Sequence, residues 1–494
     1  MVKRAGGFVL ALASRAPGAQ ARRWLYGALR AAILQGQLRP GARLPSTREL
    51  AAQYGLSRGT VVAAFAQLAS EGYLDGTRGS GTYVAATLPD DLQRVAAPVG
   101  ASAVPPPVRR LSSYGRTVSG FRMFGTPPRA FRPNTPALDQ FPTALWAQIA
   151  GRLLRRASTK LLLGCDPRGY PPLRAAIADY LATSRGVGCH PDQVIVVSGV
   201  QEALDVVVRL VVEPGDTVAM EEPGYAGARR LFEVAGARVI DAHVDDDGLQ
   251  LPRSRGRVRL IYTTPAHQCP LGVALSLPRR LALLAWARRT GALVFEDDYD
   301  SEFRYAGRPL PALQGLDRGG QVVFASSFSK ALFPSLRLGY LVVPADLVDR
   351  FSAARSLTSR HPPILEQMIA CEFIAEGHFG RHLRRMRQLY AERLAVLIDS
   401  AQRQLAGLLE ISPIEAGLHT LGWLGRGITG EAAAAAAAAR GVDVVPLARF
   451  YRGAPPRDGL QLGFAPVGPR DIRRGVDELA RALEPLAGRR ARLG

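Results

Sequence analysis

Residues 321–340 read QVVFASSFSKALFPSLRLGY. An apolar run ends in small hydroxyl residues around Lys330, and Arg337 follows seven positions later. Lysine is scarce in this chain and arginine abundant, so a lysine here suits a task that arginine cannot perform. A lysine amine can lose its proton and form a Schiff base, whereas a guanidinium stays charged. The bland alternative is a solvated loop lysine, and the rest of the chain has to decide between them.

Outward from this stretch, further apolar runs recur between helical stretches: QVIVVSG, DTVAMEE, RVRLIYTTP, GALVFEDD and GYLVVP. Continuous apolar runs separated by helices predict an α/β domain with a buried, mostly parallel sheet. It spans residues 136–494, a large part to about 380 and a smaller C-terminal part of long helices after it. The tract EAAAAAAAAR (431–440) reads as a surface helix of maximal propensity.

The strand ends carry polar groups. GALVFEDDYDSEF brings Asp297 and, two residues on, Tyr299; VIVVSG opens a helix through Ser198, Gly199, Val200 and Gln201; LIYTTP leads into PAHQCPLG; and QVVFASS delivers Ser327, Ser329 and Lys330. Strand ends are where α/β sheets bind ligands. A helix N-terminus after Gly199, two serines and Arg337 would together hold a phosphate. An aspartate holds a pyridine nitrogen protonated, and a tyrosine bonds a phenolic oxygen. The set describes pyridoxal 5'-phosphate on Lys330. Asp298 is the weaker candidate, because alternation points it away from Asp297.

The N-terminal part differs. The formal charge is +21, and residues 1–86 hold eleven Lys/Arg against Glu49, Glu71 and Asp75, a net of +8. A concentrated basic module suggests a polyanionic partner. Leu25, Leu29, Ala32 and Ile33 lie at helical spacing. Ser46 or Thr47 caps a helix to Tyr54, Gly55 breaks it, and Ser57 caps a second helix with Val61, Phe65 and Leu68 inward. This is a helix-turn-helix, followed by strands near Tyr73-Leu74 and Thr82–Val84 joined by the wing GTRGSG. Residues 87–135, with Pro105–Pro107, Pro127-Pro128 and Arg109, Arg110, Arg116, Arg122 and Arg129, read as an interdomain linker. Cys165, Cys189, Cys269 and Cys371 lack metal spacing and read as reduced thiols, so no metal is expected. FVLALA is too short for a signal peptide's core, and no run reaches membrane-span length. A cytoplasmic protein is expected.

Residues 136–490 resemble the fold-type I aminotransferases. That resemblance implies roles for Asp297 (pyridinium partner), Tyr299 (ring-hydroxyl partner), Ser327 and Arg337 (phosphate) and Lys330 (Schiff base). It also implies a phosphate-binding turn at Gly199-Val200-Gln201 and an aromatic against the ring at Tyr225 of EEPGY. LPSTREL, GLSRGTV and GSGTYV look like the winged helix of GntR-type repressors. Their order, together with TPAHQCPLG and EDDYDSEFRY, is similar to the MocR subfamily of bacterial regulators. The resemblance implies a transcription regulator, a head-to-tail homodimer that binds a double-stranded DNA operator and senses an amine, an amino acid or pyridoxal phosphate itself through an aldimine at Lys330. On the family's pattern Arg43, Ser46, Thr47 and Arg48 approach DNA, Ser57, Arg58 and Thr60 start the recognition helix, and Gly81 and Thr82 lie in the wing. Arg58 is the base-edge candidate.

Two departures stand out. Gln461 in GLQLGFA occupies the place of the arginine that clamps a substrate carboxylate in aminotransferases, and Cys269 replaces the asparagine before Pro270-Leu271-Gly272. His267 or Gln268 would then supply the bond to the ring oxygen, and Arg449 or Arg452 the missing cation. Both changes count against the runner-up, an aminotransferase with an accessory DNA-binding domain. The third alternative, a DNA-binding protein with the large domain as scaffold, needs Lys330 idle.

Overall fold

The computed structural model describes residues 10–77, 81–89, 109–118, 127, 129–159, 163–254, 256–307, 310–412 and 414–488. The chain divides into two compact units, Met1–Arg109 and Arg110–Gly494. Each is described by itself. The wing tip Arg78–Ser80, Pro105–Pro107, Arg122 and Pro128 lie outside the described residues.

The first unit has three helices, α1 (Ala21–Leu34), α2 (Thr47–Tyr54) and α3 (Arg58–Ser70), and a hairpin of β1 (Leu74–Thr77) and β2 (Gly81–Val84). Local chemistry sets both ends of the helix-turn-helix. Ser46 accepts from the Glu49 amide at 3.3 Å while Glu49 accepts from the Ser46 amide at 2.8 Å, a reciprocal cap that satisfies two otherwise unpaired donors. Gly55 ends α2 at φ +62°, the left-handed region that only glycine enters without strain. Leu25, Leu29, Ile33, Leu50, Val61, Phe65 and Leu68 close the core. Leu10 is buried there too and Leu12 is partly buried against it, so these two residues of the apolar start join the core.

The second unit contains an eight-stranded sheet in the order β3 (Val194–Val197), β10 (Gly339–Val342), β9 (Val322–Ser327), β8 (Leu293–Asp298), β7 (Val258–Thr263), β4 (Thr217–Glu222), β5 (Arg238–Asp245), β6 (Gly248–Leu249). The pairs from β9 through β5 are parallel; β10 runs against both neighbours. Both faces of β3 are covered, which is why that strand is apolar throughout: Val194 and Val196 enter one core, Ile195 and Val197 the other. A smaller antiparallel sheet, β11 (Leu409–Ile411), β12 (His419–Leu424), β14 (Gly459–Gly463) and β13 (Val445–Pro446), follows with the long helix His378–Gln404. The alanine tract forms the helix Gly430–Ala439, a surface helix with one covered face: Ala433 and Ala437 are fully buried, while Ala432, Ala435, Ala438 and Ala439 are exposed. Among the described residues no helix is long and apolar enough to cross a membrane.

The stretch 87–135 is not linker throughout. A short helix, Ser113–Thr117, packs beside the helix Ala226–Val234, with Arg230 donating to the Thr117 carbonyl. Phe131 is fully buried and bridges to Gly463, and Arg132 pairs with Asp443, Nε to Oδ2 at 2.9 Å. Prolines and arginines masked a segment whose apolar anchor is one residue.

Candidate functional site

The reversed strand β10 assembles the phosphate end. Because it is antiparallel to both β3 and β9, its first residue, Gly339, lies opposite Val197 on one side and Ser327 on the other. The Gly199 turn, Ser327 and the loop carrying Arg337 therefore meet at one sheet edge. The contact is close: a Cβ on Gly339 would stand 3.0 Å from the Gly199 Cα and 2.9 Å from the Ser326 carbonyl oxygen. Arg337 itself adopts φ +51°, a left-handed conformation costing a non-glycine residue on the order of 1–3 kcal/mol. Its exposed guanidinium lies over the turn, 3.5 Å from where a Gly199 Cβ would be. Val200 begins the helix Val200–Val211, whose free amides face that edge. Gln201 donates to the Gly227 carbonyl and accepts from the Tyr225 hydroxyl, each at 3.1 Å.

Lys330 follows β9 by three residues, and its Nζ donates to the Asn134 carbonyl at 2.7 Å. Burial lowers its pKa from the ordinary lysine value, opposed by Asp300, Cys269 and Asp297. Among the described residues it forms no ion pair with a carboxylate. Ser327 is buried at the strand end and Ser329 half-buried beside Lys330. Asn134 was not foreseen; no local pattern in FRPNTP marks a carbonyl that a lysine 196 residues later will use.

Asp297 and Asp298 point opposite ways, as alternation requires. Asp298 Oδ2 accepts from Arg185 Nε at 2.8 Å beneath the sheet. Asp297 Oδ2 accepts from the Tyr262 hydroxyl at 2.6 Å, while its buried Oδ1 has no hydrogen-bond partner. Burial, with Asp298, Glu221 and Asp300 nearby, pushes its pKa up to about 7. Tyr262, on β7 beside β8, is the second residue missed; it looked like an ordinary core aromatic.

Tyr299 and His267 come together. The Tyr299 hydroxyl is 3.0 Å from His267 Nδ1, which also meets Asp300 Oδ1 at 3.0 Å and Oδ2 at 3.1 Å. Asp300 thus fixes His267 and is the third unforeseen residue. Gln268 is committed elsewhere: its Nε2 donates to the carbonyls of Pro223 and Cys269 at 2.8 Å, and its Oε1 accepts from the Leu271 amide at 2.9 Å. Of the two residues expected to replace the asparagine, only His267 is placed beside Tyr299.

In the first unit, Arg43, Arg48 and Arg58 are exposed. Arg43 lies against the wing base, its Nε 2.9 Å from a Cβ placed on Gly81, with Thr82 next in β2. Ser57 and Thr60 hydroxyls bond each other at 2.8 Å, and Ser57 accepts from the Thr60 amide at 3.2 Å. Thr47 opens α2 next to the Ser46 cap. The hydroxyls of Ser46, Ser57 and Thr60 thus organise helix starts, leaving the arginines as the projecting groups.

Known proteins share both halves. The aminotransferase class I and II family matches residues 133–424, and the bacterial regulatory proteins of the gntR family match residues 22–84. Over 467 residues the chain is 43% identical to the probable rhizopine catabolism regulatory protein MocR of Rhizobium meliloti, covering 94% of each. It is 32% identical to the HTH-type pyridoxine biosynthesis transcriptional regulator PdxR of Corynebacterium glutamicum, over 92% of this chain and 94% of that one. Among solved structures it is similar to LysN, the α-aminoadipate aminotransferase of Thermus thermophilus, complexed with N-(5'-phosphopyridoxyl)-L-leucine. There the identity is 29% and the TM-score 0.67, over 76% of this chain and 96% of that one.

Proposed function

Because the chain belongs to the MocR-like regulators of the GntR family, DNA-binding proteins with an aminotransferase-like domain, we propose that it binds pyridoxal phosphate at Lys330 and regulates transcription in answer to a small ligand. The ligand is an amine, an amino acid or pyridoxal phosphate itself, and the acting form is a homodimer on double-stranded operator DNA.

The observation that carries the reading is Asp297. A buried carboxylate oxygen without a donor, Oδ1, stands beside one already bonded to Tyr262. Native interiors seldom leave such an atom unpaired, and a protonated ring nitrogen is the donor that suits it. The other residues fit the same group. Arg337, Ser327, Ser329 and the amides after Gly199 hold a phosphate; Tyr225 and Gln201 flank the ring; Tyr299, oriented by His267 and Asp300, meets a ring oxygen. Lys330, its pKa lowered by burial, gives up its proton more readily than an exposed lysine would. When bound, pyridoxal phosphate supplies an aldehyde carbon that reacts reversibly with primary amines, and an electron-withdrawing ring. On the DNA side, Arg43, Ser46, Thr47, Arg48, Ser57, Arg58, Thr60, Gly81 and Thr82 form the reading face, with Arg58 at a base edge.

Borohydride reduction of protein purified with pyridoxal phosphate, followed by peptide mass spectrometry, tests the cofactor site. The phosphopyridoxyl mass is expected on Lys330 and absent from Lys330→Ala, while both proteins still shift the same DNA fragment. A label on Lys3 or Lys160 instead, or no label, defeats the proposal.

A further inference from the structure

Gln461 lies in the middle of β14 at 0% exposure, and neither Oε1 nor Nε2 has a hydrogen-bond partner. A buried primary amide unpaired at both ends is unusual enough to need a reason. The strand register shows which way it faces. β12 pairs with β14 so that His419 is opposite Gly463 and Leu421 opposite Gln461. Paired and alternate residues share a face, so Gln461 looks the same way as His419. That face meets the site: the His419 ring is 5.2 Å from His267 and 6.4 Å from Tyr299. A Cβ on Gly463 would stand 2.0 Å from the Arg132 carbonyl oxygen, two residues before the Asn134 that binds Lys330. Gln461 follows on the same face, about 7 Å along the strand from Gly463.

Four arginines that could stand in for the missing guanidinium each have other partners. Arg132 pairs with Asp443; Arg393 donates through Nη1 to the Ala465 carbonyl and lies 3.8 Å from Asp139, while its Nε has no partner. Arg449 and Arg452, 64% and 63% exposed, lie 3.7 Å from Glu431 and 3.5 Å from Asp241. Burial and the neighbouring His267 push His419 down to about 3, so it too is uncharged at neutral pH. A carboxylate arriving beside Gln461 would find a neutral amide there rather than a guanidinium, and one of its oxygens would face Oε1. A hydroxyl or an amide would satisfy both ends of the side chain, because a primary amide offers two donors and an acceptor.

We infer that Gln461 sets the specificity of the effector site, and that the effector is a primary amine whose other end is neutral and polar rather than a carboxylate. The inference rests on Lys330 being the cofactor lysine. Matched pairs test it on the full-length protein loaded with pyridoxal phosphate: L-alaninol against L-alanine, and 2-amino-1,3-propanediol against L-serine. Calorimetry gives affinity, and the cofactor absorbance band gives an independent readout. The amino alcohols are expected to bind roughly tenfold or more tightly than the amino acids. Gln461→Arg should invert that order, and Gln461→Leu should abolish the preference while keeping the cofactor. Equal affinities, tighter binding of the amino acids, or binding of neither class overturns the inference when Lys330 carries the label. Absence of the label overturns the cofactor proposal as well.

Discussion

Replacing Asp297 by asparagine should stabilise the cofactor-free protein at neutral pH while weakening cofactor binding. Raising a carboxyl from its ordinary 3.8 to about 7 is roughly a thousandfold in proton affinity, about 4 kcal/mol. The folded-state value is raised, so the penalty is absent below pH 3.8, grows as pH rises through that value, and is complete near 7. Asparagine can still accept from Tyr262, but its amide N–H₂ stays buried without a partner, costing about 1–3 kcal/mol at every pH. The variant should therefore be less stable than wild type near pH 4 and more stable by about 1–3 kcal/mol at pH 7, with a crossing at about pH 5 to 6. Urea unfolding of stripped protein, followed by tryptophan fluorescence, reads this, because Trp146, Trp286 and Trp423 lie in the second unit. Affinity for pyridoxal phosphate should fall roughly 10–100-fold with the loss of a charge-assisted bond. A stability difference that does not vary from pH 4 to 7, or an unchanged affinity, would refute the role given to Oδ1.

Arg337→Ala should cost roughly 10–100-fold in cofactor affinity, because a guanidinium bonded to phosphate makes a charged pair, and should leave DNA binding unchanged; a fluorescence titration checks both. Arg58→Ala should reduce the preference for operator over random DNA by roughly 1–3 kcal/mol if it reads a base edge; equal losses on both DNAs by mobility shift would make it a phosphate contact.

Much of this was legible because it is local. Ser46, Glu49, Gly55 and Ser57 act within a few residues, so the helix-turn-helix could be read from its caps. Asp297 and Lys330 stood out because polar residues at the ends of apolar strands have few structural uses. Tyr262, Asp300 and Asn134 did not stand out, since their roles arise across strands or from a backbone carbonyl with no side-chain signature. The alanine tract was legible as a surface helix, but not the face it buries. Helix propensity cannot say which side is covered, and the burial of Ala433 and Ala437 depends on neighbours far along the chain.

The placement of Gly339 between Val197 and Ser327 also bears on how the protein folds. It joins segments about 140 residues apart in sequence, and such distant closures are late and entropically demanding steps. No subset of the chain shorter than that span can bring the Gly199 turn against Arg337. The ability to hold a phosphate at this edge should emerge together with the finished sheet, making the ligand a probe of complete assembly rather than of any local segment.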